Sequence, residues 1–143
     1  HRRCRLSEGG NVKPAGIFSL SILIIIIDRI TKIIVMNNFK YTTNTGAAFG
    51  ILQNQQWLFT MAALIVSIAL LYLIPKYRYP ELGLLLGGAI GNLIDRMLYS
   101  HVIDFIDLGF WPSFNIADAS NTISVLLLAW RLEIKPRMRK VYK

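Results

Sequence analysis

Residues 57–74 read WLFTMAALIVSIALLYLI, eighteen positions without one charged residue. A run of that length with no charge is a candidate membrane-crossing helix, about 27 Å long at 1.5 Å per residue. Trp57 and Tyr72 stand near its ends, where aromatic rings favour the membrane–water boundary, and Pro75 is expected to stop it.

Three further apolar segments flank this one. The first runs from about Ala15 to Met36 and contains six consecutive aliphatic residues, Ile22 to Ile27. Its apolar character continues past Lys32 and no small-residue cleavage site follows, which argues against a removable signal peptide. Another runs from about Pro80 to Leu98, with Pro80 placed as a helix starter. The last runs from about Ala117 to Trp130 and is expected to extend to Glu133. Gly83, Gly87 and Gly91 recur at intervals of four, the spacing that lets membrane helices approach closely.

Charge tests this arrangement. The five stretches outside the apolar segments carry 4, 1, 2, 0 and 6 basic residues in chain order. The alternation suits four crossings, with both termini and the 76–79 turn in the cytoplasm and the two longer loops outside. It also absorbs thirteen of the sixteen Lys and Arg, so the net charge of +8 requires no acidic partner. There is no basic stripe interleaved with aromatics, so nucleic acid is not an expected partner. At 143 residues and 54% apolar content the chain is expected to form one membrane-embedded domain, 1–143. Residues 1–13 and 134–143 form its basic tails. The single cysteine, Cys4, permits no internal disulfide, and with only His1 and His101 no metal cluster is expected.

Several polar residues interrupt the apolar segments, each at a cost of about 2.5–3.5 kcal/mol at membrane depth on insertion scales. Asp28 and Lys32 share a helix face four apart, which suits an ion pair. They either brace a site or merely end the helix at the outer boundary. Asn92, Asp95 and Arg96 close the third segment. Arg96 is expected either to pair with Asp95 or to join Asn92 in holding an extended peptide. Asp104, Asp107 and Asp118 follow in an apolar stretch without basic residues, and Asn115 fits an N-cap that puts Asp118 in the first turn of the last helix. Two carboxylates sharing a dry site divide into an acid and a base, the requirement for peptide hydrolysis without a metal. On these residues alone hydrolysis, a transport role and a non-enzymatic structural role all stay open.

Five blocks carry a resemblance. They are Asp28-Arg29-Ile30-Thr31-Lys32, Asn44-Thr45-Gly46-Ala47-Ala48-Phe49, the stretch from Gly87 to Arg96, Val102-Ile103-Asp104-Phe105-Ile106-Asp107, and Phe114-Asn115-Ile116-Ala117-Asp118. In this order the chain resembles the lipoprotein signal peptidases (signal peptidase II). The resemblance implies an all-α membrane protein, a four-transmembrane-helix bundle with a small extracytoplasmic loop region. It implies Asp104 and Asp118 as a catalytic pair, with Asp28, Lys32, Asn44, Asn92, Asp95, Arg96 and Asn115 supporting the site or touching substrate. It further implies a bacterial cytoplasmic membrane enzyme with its site near the outer face. Such an enzyme is a monomer among membrane lipids, needs no cofactor and is inhibited by globomycin. The implied substrate is a lipidated prolipoprotein, cut before its diacylglyceryl cysteine. Three departures stand out. Only eleven residues separate Lys32 from Asn44, so a reduced β element is expected there; Arg29 stands where Gln is common, and Ser100 where Gly is common.

Overall fold

The structure, a computed structural model, describes residues 12–46 and 55–134. Most of both basic tails, Cys4 and the Ala47-Ala48-Phe49 part of the second block lie outside them. Helix α1 spans Pro14–Asn38 and leads into strand β1, Thr42–Asn44. Helices α2 (Gln56–Tyr77) and α3 (Pro80–Tyr99) follow, then strand β2 (Val102–Asp104) and helix α4 (Ile116–Ala129). A π-helical turn, Trp130–Ile134, continues α4 to just beyond Glu133.

The helix ends follow local chemistry. Pro80 occupies the first turn of α3, where its missing N–H costs nothing. Asn115 caps α4 and forms a capping box with Asp118: its side chain accepts the Asp118 N–H at 2.8 Å, and Asp118 Oδ2 accepts the Asn115 N–H at 3.3 Å. Pro75 does not stop α2, contrary to expectation. The helix runs two residues further and ends on Arg78 in the left-handed conformation, φ 55°. So close to a helix end, proline removes a single ladder bond, and its fixed φ is already helical.

Helix α3 is the axis against which α1, α2 and α4 all pack. Its glycines make that possible. A Cβ on Gly83 would stand 2.6 Å from the Ile17 carbonyl oxygen, one on Gly87 2.7 Å from Ile24 Cβ, and one on Gly88 2.5 Å from the Ala117 carbonyl oxygen. Serine hydroxyls bind carbonyls across these seams: Ser21 to Gly83 at 2.9 Å, Ser120 to Leu84 at 2.8 Å and Ser124 to Glu81 at 2.6 Å. An apolar core of Ile17, Leu70, Ile74, Leu82 and Leu86 fills the end near the α2–α3 turn. The outer faces of α1, α2 and α4 leave Ile22, Ile26, Ile65, Ile68, Leu71, Val125 and Leu126 exposed. By length and composition one described helix, Gln56–Tyr77, is apolar enough to cross a membrane.

The expected β element is a two-stranded antiparallel sheet pairing Thr42 with Asp104 and Asn44 with Val102. After β2 the chain turns back on itself. Ile106 and Phe114 exchange backbone bonds of 2.9 and 3.0 Å, and Asp107 accepts the Gly109 N–H at 2.8 Å where Gly109 adopts φ 78°. Asp107 is therefore a turn residue. Sheet and hairpin both lie at the C-terminal end of α3, opposite the α2–α3 turn.

Candidate active site

Two layers of acids are built at this end of the bundle. The inner layer joins α1 to α3. Lys32, wholly buried, directs Nζ to Asp28 Oδ2 at 2.8 Å, to Asp95 Oδ2 at 2.6 Å and to Asn92 Oδ1 at 3.3 Å. The two carboxylates supply the charge pairing that a buried cation requires. Asp28 Oδ1 accepts the Ala117 N–H at 3.0 Å. Asp28 thus holds the N-terminus of α4 from outside while Asn115 caps it from within, and the helix dipole favours the charge. Asp95 spends Oδ1 on the Arg29 guanidinium and Oδ2 on Lys32 and the Ile103 N–H, the latter at 3.1 Å.

The outer layer is Asp104 and Asp118, held by amides. Asp104 Oδ1 accepts from Asn115 Nδ2 at 2.8 Å and Oδ2 from Asn44 Nδ2 at 3.1 Å. Asp118 Oδ1 accepts from Asn92 Nδ2 at 2.7 Å and Oδ2 from the Asn115 backbone. Asn115 therefore touches both acids, one through its side chain and the other through its N–H. Asn92 links the layers, because its Oδ1 also accepts from Asn115 Nδ2 at 3.1 Å. Among the described residues neither outer acid forms an ion pair. Burial raises the Asp104 carboxyl from its usual 3.8 to about 6, helped by the charge of Asp118 and opposed by its bonds to Asn44 and Asn115 and by Lys32.

A cavity of about 600 Å³ opens against Asp118, while Asp104 stands behind its wall, bonded to the lining residue Asn44 at 3.1 Å. Asn44, Asn92, Arg96 and Asp118 supply its polar wall, and Val102, Leu108, Phe110, Trp111 and Ile123 much of its apolar one. That size and mixed lining suit an extended peptide.

Of the two arrangements open for Arg96, pairing with Asp95 does not form. Adjacent helical residues point about 100° apart and cannot face each other. Asp95 turns to α1, whereas Arg96 turns to the cavity and to α2, 5.7 Å over the Phe59 ring, while its carbonyl accepts from Gln56 Nε2 at 3.1 Å. Arg96 and Asn92, one turn apart, share the cavity wall. The α1 residues do not mark a helix end either, because α1 runs six residues past Lys32. His101 lies outside the site, its ring tilted 35° against Tyr99. The sequence reading did not foresee Arg29, Gln56 or Phe59 here. Arg29 sits three residues from Lys32 on the same helix and had a local signal; Gln56 and Phe59 had none.

A family model described as signal peptidase (SPase) II matches residues 20–134. A lipoprotein signal peptidase of Moorella thermoacetica is 37% identical, the match covering 79% of this chain and 89% of the other. One of Burkholderia mallei is 35% identical, over 87% of this chain and 90% of the other. A bacterial membrane enzyme solved by the in meso method at 2.3 Å superposes with a TM-score of 0.79 at 33% identity, covering 87% of this chain and 91% of that one. A second, at 1.9 Å, gives 0.74 at 33% identity over 85% and 94%.

Proposed function

This chain belongs to the signal peptidase II family, and from that premise we propose that Asp104 and Asp118 are the catalytic pair of an aspartic endopeptidase. The protein processes prolipoproteins: it removes the signal peptide from the diacylglyceryl-modified precursor, cutting before the lipidated cysteine. The reported relatives are peptidases, which favours hydrolysis over transport.

One observation carries the catalytic assignment: both carboxylates converge on the buried Asn115, and among the described residues neither has an ion pair to fix it as a permanent anion. In the reaction, the ionised member takes a proton from water as the water oxygen bonds to the scissile carbonyl carbon. The protonated member gives its proton to the carbonyl oxygen. As the resulting diol collapses, one of its hydroxyls returns a proton to the acid that had given one, the C–N bond breaks, and the proton taken from water passes to the leaving amine. Arg96 and Asn92 are placed to bind the peptide backbone along the cavity wall. Lys32, Asp28, Asp95 and Asn115 hold the two acids in place.

The membrane setting follows from the same layout. The helices are about 37, 33, 30 and, with the π turn, 28 Å long, near the ~30 Å of a bilayer core. Their exposed faces are apolar, which supports four crossings. Lys76 and Arg78 mark the end opposite the acids, so the positive-inside rule puts that end and both termini in the cytoplasm and the acids near the outer face. There a substrate keeps its acyl chains in lipid while its peptide reaches the cavity.

The test is cleavage of a diacylglyceryl-modified prolipoprotein followed by gel shift. Asp104→Asn and Asp118→Asn are each expected to lower the rate roughly a thousandfold or more while the protein inserts and purifies as before. Full activity in either variant ends the assignment.

A further inference from the structure

We propose that Arg29 is a positioning residue for the cleavage reaction: through Asp95 it fixes the β2 backbone at Ile103 and thereby the place from which Asp104 presents its carboxyl. The inference rests on the catalytic assignment of Asp104 made above.

The linkage is continuous. Arg29 Nη2 donates to Asp95 Oδ1, and Asp95, wholly buried, accepts the Ile103 N–H at 3.1 Å through Oδ2. The Ile103 carbonyl in turn accepts from Asn115 Nδ2 at 3.3 Å. The residue before Asp104 is thus held at its N–H by Asp95 of α3, while its carbonyl shares the two hydrogens of the Asn115 amide with Asp104 and Asn92. Ile103 is itself 1% exposed and paired with Thr43 in the sheet. A peptide unit gripped this way cannot rotate without moving the next side chain, and the next side chain is Asp104.

Lys32 cannot replace Arg29 in this role. Its ammonium is already shared between the ion pairs to Asp28 Oδ2 and Asp95 Oδ2 and a hydrogen bond to Asn92, on the other oxygen of Asp95 from Arg29. Without Arg29, Asp95 Oδ1 becomes a buried carboxylate oxygen with no donor. The carboxylate then rotates toward Lys32, and this weakens its hold on the Ile103 N–H. The Arg29 side chain is 18% exposed, so its far edge reaches the surface and a shorter polar residue fits there. Its partner, by contrast, is sealed. That asymmetry makes Arg29 the member of the network that can be changed while the bundle still folds.

The experiment uses the full chain in detergent and compares wild type, Arg29→Gln, Arg29→Lys, Asp95→Asn and the Arg29→Gln/Asp95→Asn double variant. Amide hydrogen exchange at Ile103 reads the positioning directly, and kcat and KM on lipidated prolipoprotein read its consequence. In Arg29→Gln, exchange at Ile103 is expected to rise and kcat to fall, each about tenfold, with KM within about twofold. Arg29→Lys is expected to recover most of both, and Arg29→Met, with the same losses expected, takes the place of the glutamine variant should that one not fold. In the Asp95→Asn background, Arg29→Gln is expected to add nothing further. Unchanged exchange at Ile103, or the same factor lost again in the Asp95→Asn background, overturns the proposal. Asp104→Asn runs in the same assay: if it cleaves normally, the catalytic assignment fails, and the exchange data still judge the link from Arg29 to Ile103.

Discussion

Asp28 and Asp95 lie in the same buried end of the molecule as Asp104 and Asp118, yet the two pairs are treated differently. The inner acids face Lys32 and Arg29 in ion pairs. The outer acids face Asn44, Asn92 and Asn115. An amide donor stabilises a carboxylate without supplying the full charge that would forbid a proton on it. The inner layer therefore acts as framework, whereas the outer layer can exchange protons. The amide-held pair is the one suited to acid–base chemistry.

The comparison can be broken first at activity, since the thousandfold loss expected for Asp104→Asn and Asp118→Asn has no counterpart in the inner layer. Asp28→Ala should instead strike stability. It leaves Lys32 with a buried donor facing a void and removes the outside hold on α4, a loss of about 3–5 kcal/mol. A thermal melt is expected to show that loss while KM changes little. An Asp28→Ala protein that melts like wild type would show that the inner layer is not a framework.

A smaller effect tests the outer layer by pH. The folded carboxyl of Asp104 titrates at about 6 and the unfolded one at 3.8, so folding favours its protonated form. Its contribution to stability is fully present below pH 3.8 and is lost as pH rises through about 6. The loss is on the order of 3 kcal/mol. Melting temperatures taken between pH 4 and 8 should therefore fall through this window in the wild type. Asp104→Asn should remove that part of the slope, whatever its own melting temperature. A slope identical in the two proteins would mean that Asp104 does not hold its proton more tightly when folded.

The smallest effect lies between the layers. Ser100 ends α3 at φ 63°, turning the chain from Asp95 toward Asp104 in a conformation that favours glycine. Ser100→Gly is expected to stabilise the fold by about 1 kcal/mol, visible as a small rise in melting temperature with kcat unchanged. A fall in stability would show that the serine side chain compensates for the strain.

How far the sequence was legible follows from which interactions are local. The four helices were readable because apolar runs, Pro80 and the Asn115 cap act within a few residues. The Asp28–Lys32 pair was readable because four residues make one turn. The persistence of α2 through Pro75 and the π turn after α4 were not, since apolar runs look alike in either geometry. The partner of Asp95 was misjudged as open to Arg96, although neighbours on a helix cannot meet.

By itself, then, the sequence settled that this chain forms apolar helices with polar residues clustered near one end, because hydropathy, charge alternation and capping are read along the chain. Only the tertiary structure decided which acid would meet a cation and which an amide. That choice depends on how closely α1 and α4 approach α3, a distance set by glycines, which brings Asp28 to Ala117 and Arg29 to Asp95 across gaps of 89 and 66 residues, while the chain between β2 and α4 returns Asn115 to Asp104.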